Sequence, residues 1–343
     1  MTGPMTGKGP RVTQSKNRDE FARIARFFAP LAAAYPGAFG LRDDAAILAP
    51  SAGAELVVTT DTIVEGVHYI GDEAPALIAA KLLRVNLSDL AAMGARPRAY
   101  TLNIALPAKV DDSWLAGFSA GLAADQEAYA ITLIGGDSVA TPGPATLSLT
   151  AFGEVPAGAA LRRDAARIGD AVYVSGTIGD GALGLRAARG VLPGLAAPDA
   201  AALIARYREP QPRTMLGPRL RGLAHAAADI SDGLVADLGH IAEASGVSAV
   251  VRADAVPLSP AARAALAAAP GLLAVVLGGG DDYELIFTAP RSAAPALQAL
   301  ARELDLPIAA IGEIASGAGV RVLDARGAPM TIARAGYVHG TGA

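Results

Sequence analysis

Aspartate is the residue type whose placement in this 343-residue chain best suits chemistry. Asp43 and Asp44 precede an apolar run, Asp61 ends LVVTTD, Asp89 lies in NLSDLAAMG, Asp137 in IGGDS, and Asp229 and Asp232 in DISDG. Several follow apolar stretches that read as strands, where a side chain emerges at a sheet edge beside a loop. Carboxylates gathered there repel one another unless cations separate them. Hard oxygen donors suit Mg²⁺, which commonly bridges to substrate phosphates. Any single Asp has an ordinary use in a turn or at a helix N-cap. Six or seven in such settings, in a chain only 18% charged, favour a metal site. Glycine turns accompany them, in GGD (135–137), GTIGDGALG (176–184) and LGGGDD (277–282). Glycine lets backbone N–H groups close on an anion, although a glycine pair after a strand is more often just a turn.

What is missing narrows the chemistry. There is no GxxxxGKS or GxxxxGKT loop, no intact GxGxxG followed by an acidic residue in a βαβ context, no kinase HRD or DFG, no GxSxG elbow at a strand-to-helix turn and no HExxH. The absence of cysteine excludes disulfides, thiol catalysis and Cys-ligated zinc. The lysines are Lys8, Lys16, Lys81 and Lys109, so polyphosphate charge would be met mainly by metals, a few arginines and backbone amides. Of the four histidines, His225 and His240 fall on predicted helices and read as structural or solvent-facing; His68, just past TTDTIVEG, is the better functional candidate. A net charge of -4, from 29 basic and 33 acidic residues, argues against nucleic acid or an anionic membrane as partner.

The elements that must position these residues alternate between strand and helix. Strands are expected at 56–63, 100–106, 131–137, 145–155, 170–176, 284–288, 308–314 and 319–323, from apolar runs and period-two alternation. Helices are expected at 21–35 (kinked by Pro30), 74–93 (stopped by Gly94), 112–128, 181–190, 199–207 and 214–226, and a short strand at 227–234 turns into a helix reaching 244. The class is therefore α/β or α+β. A polar, Gly- and Pro-containing tail spans 1–17, a first domain 18–155 and a second 156–343. Residues 264–280, broken by Pro270 and Gly271, fall short of a membrane span, and no signal peptide is read, so a soluble cytoplasmic protein is expected.

Taken in order, RDDAAIL (42–48), TTDTIVEGVHY (59–69), KLLRVNLSDLAAMGARP (81–97), LIGGDS (133–138), the arginine pair 162–163, ISDGLVADLGHIAEASG (230–246), GGGDDYELIF (278–287) and GYVH (336–339) resemble the thiamine-monophosphate kinase family, within the aminoimidazole ribonucleotide synthetase-like superfamily. The resemblance covers roughly 18–340. It implies a two-domain fold, with an N-terminal sheet domain forming a barrel across a homodimer and a C-terminal α/β domain beside it. The implied activity is transfer of the γ-phosphate of ATP to thiamine monophosphate, assisted by several Mg²⁺ ions. By motif, the metal ligands would be Asp44, Thr59, Thr60, Asp61, Asp89, Asp137, Asp229 and Asp232. ATP would meet Tyr129, Gly136, Asp137, Arg163 and Ser231, and thiamine monophosphate would meet His68, Asp281 and Tyr337. No residue is expected to act as a general base or covalent nucleophile, because the acceptor phosphate is already ionised. Arg42 stands where the family usually has Gly, and Asp281 where it commonly has Glu. The alternatives are another ATP-using member of the superfamily, a silent nucleotide-binding protein, and a metal-dependent phosphatase.

Overall fold

The computed structural model describes residues 21–192, 194–332 and 336, arranged around two sheets. In the first, β1 (Ala54–Val64), β2 (Arg96–Leu106), β3 (Thr132–Ala140) and β4 (Thr146–Pro156) take the order β1-β4-β2-β3. β4 pairs antiparallel with β1 and β2, and β3 runs parallel to β2. Alternation along β4 explains the layering: Leu147, Leu149, Ala151 and Val155 are buried, while the residues between them face the other side. Helices α1 (Pro75–Ala92) and α2 (Asp112–Tyr129) cover the buried face, with Leu82, Leu83, Leu87, Phe118 and Leu122 in the core. Pro75 opens α1 and Gly94, at φ 70°, follows its end. The Asp111 carboxylate accepts the Trp114 N–H at 2.9 Å and caps α2.

The second sheet has seven strands in the order β11-β10-β7-β9-β5-β8-β6. These are β5 (Ala171–Ser175), β6 (Ala226–Asp229), β7 (Ser248–Arg252), β8 (Leu285–Ala289), β9 (Ile308–Ala315), β10 (Gly319–Leu323) and β11 (Pro329–Met330). α3 (Asp180–Ala188), α4 (Ala197–Arg208), α5 (Leu234–Ala244), α6 (Pro260–Ala268), α7 (Leu273–Gly278) and α8 (Ala294–Glu303) accompany it. One core gathers Val172, Val174, Ile230, Leu238 and Ile286; a second holds the stacked Tyr173 and Phe287 rings, 5.4 Å apart, with Leu297 and Leu300.

α1 belongs to both halves. It packs on β1 and β4 and also meets β6, β8 and α4. Backbone approach there is close: a Cβ on Gly217 would lie 2.0 Å from the Ala91 carbonyl oxygen. A helix buried on nearly every side carries its polar residues into the joint between the halves.

The expected helix at 214–226 is corrected. Only Gly217–Leu220 makes a helical turn, and β6 begins at Ala226, because Gly217, Pro218 and Gly222 break the pattern that the apolar spacing suggests. His225 is therefore not helical; its Nδ1 lies 2.9 Å from the Asp170 carboxylate. Strands β7 and β11 and helices α6, α7 and α8 fall outside the expected elements. The tail 1–17, Tyr337 and His339 lie outside the described residues. Among the described residues, no helix is long and apolar enough to cross a membrane.

Candidate active site between the two sheets

β1 delivers Thr59 and Asp61 to the helix-covered side of its sheet, one turn of α1 delivers Asp89, and β6 ends on Asp229. Thr59 Oγ1 donates to Asp89 Oδ2 at 2.5 Å. A cleft of about 460 Å³ is lined by Thr59 and Asp89 from one half and by Arg163 and Asp229 from the other. These carboxylates are crowded. Burial, repulsion from Asp89 and a hydrogen bond to it raise the Asp61 carboxyl to about 6. Burial and the charges of Asp89 and Asp237 push Asp229 well above the ordinary carboxylate range, while Arg163 works against the shift. Asp89 is itself raised by burial, opposed by the Thr59 hydroxyl and the Arg163 charge.

The row continues along the second half. Burial, opposed by the Gly233 N–H and aided by the Asp232 charge, raises Asp237 to about 7. Asp237 Oδ2 accepts the N–H groups of Asp232 and Gly233 at 3.1 and 3.0 Å, closing the turn ahead of α5. Ligand atoms of Asp232, Asp237 and His240 lie within 4.8 Å of one another. Asp61, Asp89, Asp229, Asp237 and Asp232 thus make one run of oxygen donors packed more closely than their charges favour. Such a donor set fits a hard divalent cation, whose charge reverses the repulsion. Asp237 escaped the sequence reading; its signal was a second acid five residues past Asp232 on the same motif.

Three expected ligands stand apart. Asp44 and Asp137 line a separate hollow of about 140 Å³, with Gly136, at the β3 edge. In the sheet register, Asp61 pairs with Leu149, Leu149 with Leu102, and Leu102 with Gly136. Three strand spacings, about 14 Å, therefore separate Asp61 from the GGD turn within one chain. Thr60 projects to the open face, where its Oγ1 donates to the Leu149 carbonyl at 3.1 Å. Arg42 is exposed at φ -111°, a conformation open to any residue, so its side chain strains nothing. Tyr129 lies against Arg84, 5.7 Å from its guanidinium carbon, in the contact between α1 and α2.

The expected acceptor residues approach from both halves. The Val64 N–H donates to His68 Nδ1 at 3.1 Å, so the neutral ring carries its proton on Nε2. Asp281 and Tyr283 occupy the left-handed region, at φ 69° and 52°. Their loop is held to the DISD turn, Asp281 N–H to Ser231 O at 2.9 Å and Tyr283 N–H to Ile230 O at 2.9 Å. Gly280 permits this approach, since a Cβ there would lie 2.1 Å from the Ser231 carbonyl oxygen. Beneath the loop, Glu284 is fully buried and bound by Arg213, Arg206 and Ser175. Asp282 is also buried and accepts the Gly179 and Gly181 N–H groups at 2.7 and 3.0 Å. Lys81, Glu284 and Asp282 were not singled out from sequence; their burial leaves no mark in it.

Comparison with known proteins follows the same division. The AIR synthase related protein N-terminal domain matches residues 42–155 and the C-terminal domain residues 167–325. A thiamine-monophosphate kinase of Caulobacter vibrioides is 43% identical over 326 residues, covering 94% of this chain and 91% of its own. The solved thiamine-monophosphate kinase of Stenotrophomonas maltophilia matches with a TM-score of 0.76 and 49% identity, over 82% of this chain and 89% of that one. AaThiL complexed with AMPPCP and TMP matches with a TM-score of 0.75 and 30% identity, over 88% of this chain and 97% of that one.

Proposed function

The chain belongs to the thiamine-monophosphate kinases of the AIR synthase related family, and from that premise we propose that it moves the γ-phosphoryl group of ATP onto the phosphate of thiamine monophosphate. The products are thiamine diphosphate and ADP, and the setting is cytoplasmic. The observation that carries the reading is the run of carboxylates contributed by both halves beside Arg163. Two anionic phosphates must meet, and a loose in-line transition state needs positioning and charge neutralisation more than a base. Asp61, Asp89, Asp229, Asp232 and Thr59 would hold Mg²⁺, which would supply that neutralisation.

The chain's own groups do the rest. Arg163, which lines the cleft, offers the phosphates a cation, and the Ser231 turn presents the N-terminus of α5, where N–H groups favour anions. His68 and Asp281, with Tyr337, receive the organic end of the acceptor. A phosphate oxygen of the acceptor bonds to the γ-phosphorus as the bond to the β,γ-bridging oxygen breaks, and ADP leaves with that electron pair. The attacking oxygen is already ionised, so no general base is required.

The active form in this reading is a homodimer. β1 and β3 are the two edges of the first sheet, and its open face exposes Val58 and Leu56 beside Thr60. A twin sheet whose β3 flanks β1 would bring Asp44, Gly136 and Asp137 of one copy to Thr60 and Asp61 of the other. Seven of the eight expected ligands then serve one site, with the Thr60 hydroxyl on the opposite face of β1, and the division into domains 18–155 and 156–343 separates the dimerising sheet from the α/β unit.

The test is ADP release from ATP and Mg²⁺ with candidate acceptors. Release that depends on thiamine monophosphate, with thiamine itself inactive, is the expected result. Release without an acceptor, giving inorganic phosphate, would mark a phosphatase instead, and binding without release a silent protein.

A further inference from the structure

Lys81 has no part in the motif-based assignments, yet its surroundings are unusual. It is one of four lysines, sits on α1, and is almost wholly buried, with a side-chain exposure of 4%. Its ammonium lies 3.2 Å from Asp281 Oδ1 and 3.7 Å from the centre of the Tyr207 ring. Among the described residues, Nζ has no aligned hydrogen-bond acceptor. A buried ammonium is costly without a partner, so its ion pair and ring contact must hold it in place.

The contacts run toward the acceptor end from both sides. Tyr207 OH donates to the His68 carbonyl at 3.3 Å, and Tyr283 OH donates to the same Asp281 oxygen at 3.3 Å. The Asp281 side chain keeps an exposure of 29%, and the Lys81 and Tyr283 contacts both fall on Oδ1. One oxygen is thus engaged from below, which leaves the other to a ligand. The left-handed backbone at Asp281 and Tyr283 holds the carboxylate in a conformation that the loop alone would not favour.

We propose that Lys81 is a positioning residue for acceptor recognition: it fixes the Asp281 carboxylate and, through Tyr207, the His68 turn, so that one free carboxylate oxygen meets the cationic or N–H-donating organic part of the acceptor. This rests on the functional reading above and adds to it the residue that orients its acceptor pocket. The short Asp281 arm is steadied by the cation 3.2 Å from its Oδ1.

The experiment pairs Lys81→Met with Asp281→Asn in a double-mutant cycle on the full chain, reading KM for thiamine monophosphate and for ATP separately. Lys81→Met is expected to raise the acceptor KM at least tenfold and the ATP KM less than twofold. In the Asp281→Asn background it should add less than twofold, because its target is gone. A merely structural lysine would raise both constants together, or act fully in that background, and either result overturns the proposal. Should Lys81→Met fail to fold, Lys81→Gln replaces it in the same cycle, with thermal unfolding as the check. Asp281→Asn alone remains informative: acceptor binding equal to wild type by calorimetry overturns the proposal. An unaltered protein that releases no ADP with thiamine monophosphate defeats the functional reading; an active enzyme indifferent to Lys81→Met defeats only this inference.

Discussion

Replacing Asp89 by Asn removes one negative charge from the centre of the carboxylate run while keeping an oxygen for the Thr59 hydroxyl, which now meets Asp89 Oδ2 at 2.5 Å. Two effects of opposite sign follow. The Asp61 carboxyl climbs from 3.8 to about 6, equivalent to about 3 kcal/mol, with burial the largest cause and Asp89 the next. Removing the Asp89 charge takes away the second-largest cause of that shift, so the metal-free protein should be stabilised and its Tm should rise, the lost attraction to Arg163 acting the other way. The same change removes a ligand charge from the metal site. Turnover should fall on the order of 10²-fold or more, about 2.7 kcal/mol of transition-state stabilisation. The assays are thermal unfolding in EDTA and initial rates with saturating ATP, Mg²⁺ and thiamine monophosphate. A rate within threefold of wild type refutes the metal-site reasoning. A lost rate accompanied by a lowered metal-free Tm refutes the electrostatic part, because the aspartate would then be a structural support.

Asp137→Asn should be as inactive as Asp89→Asn, and mixing the two proteins after subunit exchange should restore up to about a quarter of wild-type activity, since half the random dimers carry one intact site; no recovery would place both aspartates in one chain's site. Asp282, buried, is raised to about 8, so the folded protein holds a proton that the unfolded chain releases near 4. Stability in the absence of ligands should therefore fall as pH rises from about 4 to 8, and Asp282→Asn should flatten that slope in denaturant titrations; an unchanged slope would remove Asp282 as its source. Direct transfer predicts inversion at phosphorus with chiral γ-phosphate ATP, and retention, or ATP–ADP exchange without acceptor, would mean a phosphorylated enzyme.

The local order of the fold and the chemical character of the site can be read from the residues alone. Period-two runs such as Leu147, Leu149 and Ala151 mark a half-buried strand because alternate side chains meet opposite faces, and the closely matching limits of β4 follow from that. Gly94 stopped α1 as expected, and the motifs around Asp61, Asp89 and Asp229 named the oxygen-rich chemistry. Apolar spacing misled at 214–226, where Gly217, Pro218 and Gly222 permit one helical turn and no more. Tertiary structure decided which aspartates meet. The strand order β1-β4-β2-β3 sets Asp61 and Asp137 at opposite edges of one sheet, and nothing in local periodicity encodes an order fixed by long-range pairing. It also decided what Lys81 does. Whether a lysine on an apolar helix reaches solvent or a buried carboxylate depends on what packs against that helix, here a second sheet and α4, brought there by residues more than a hundred positions away.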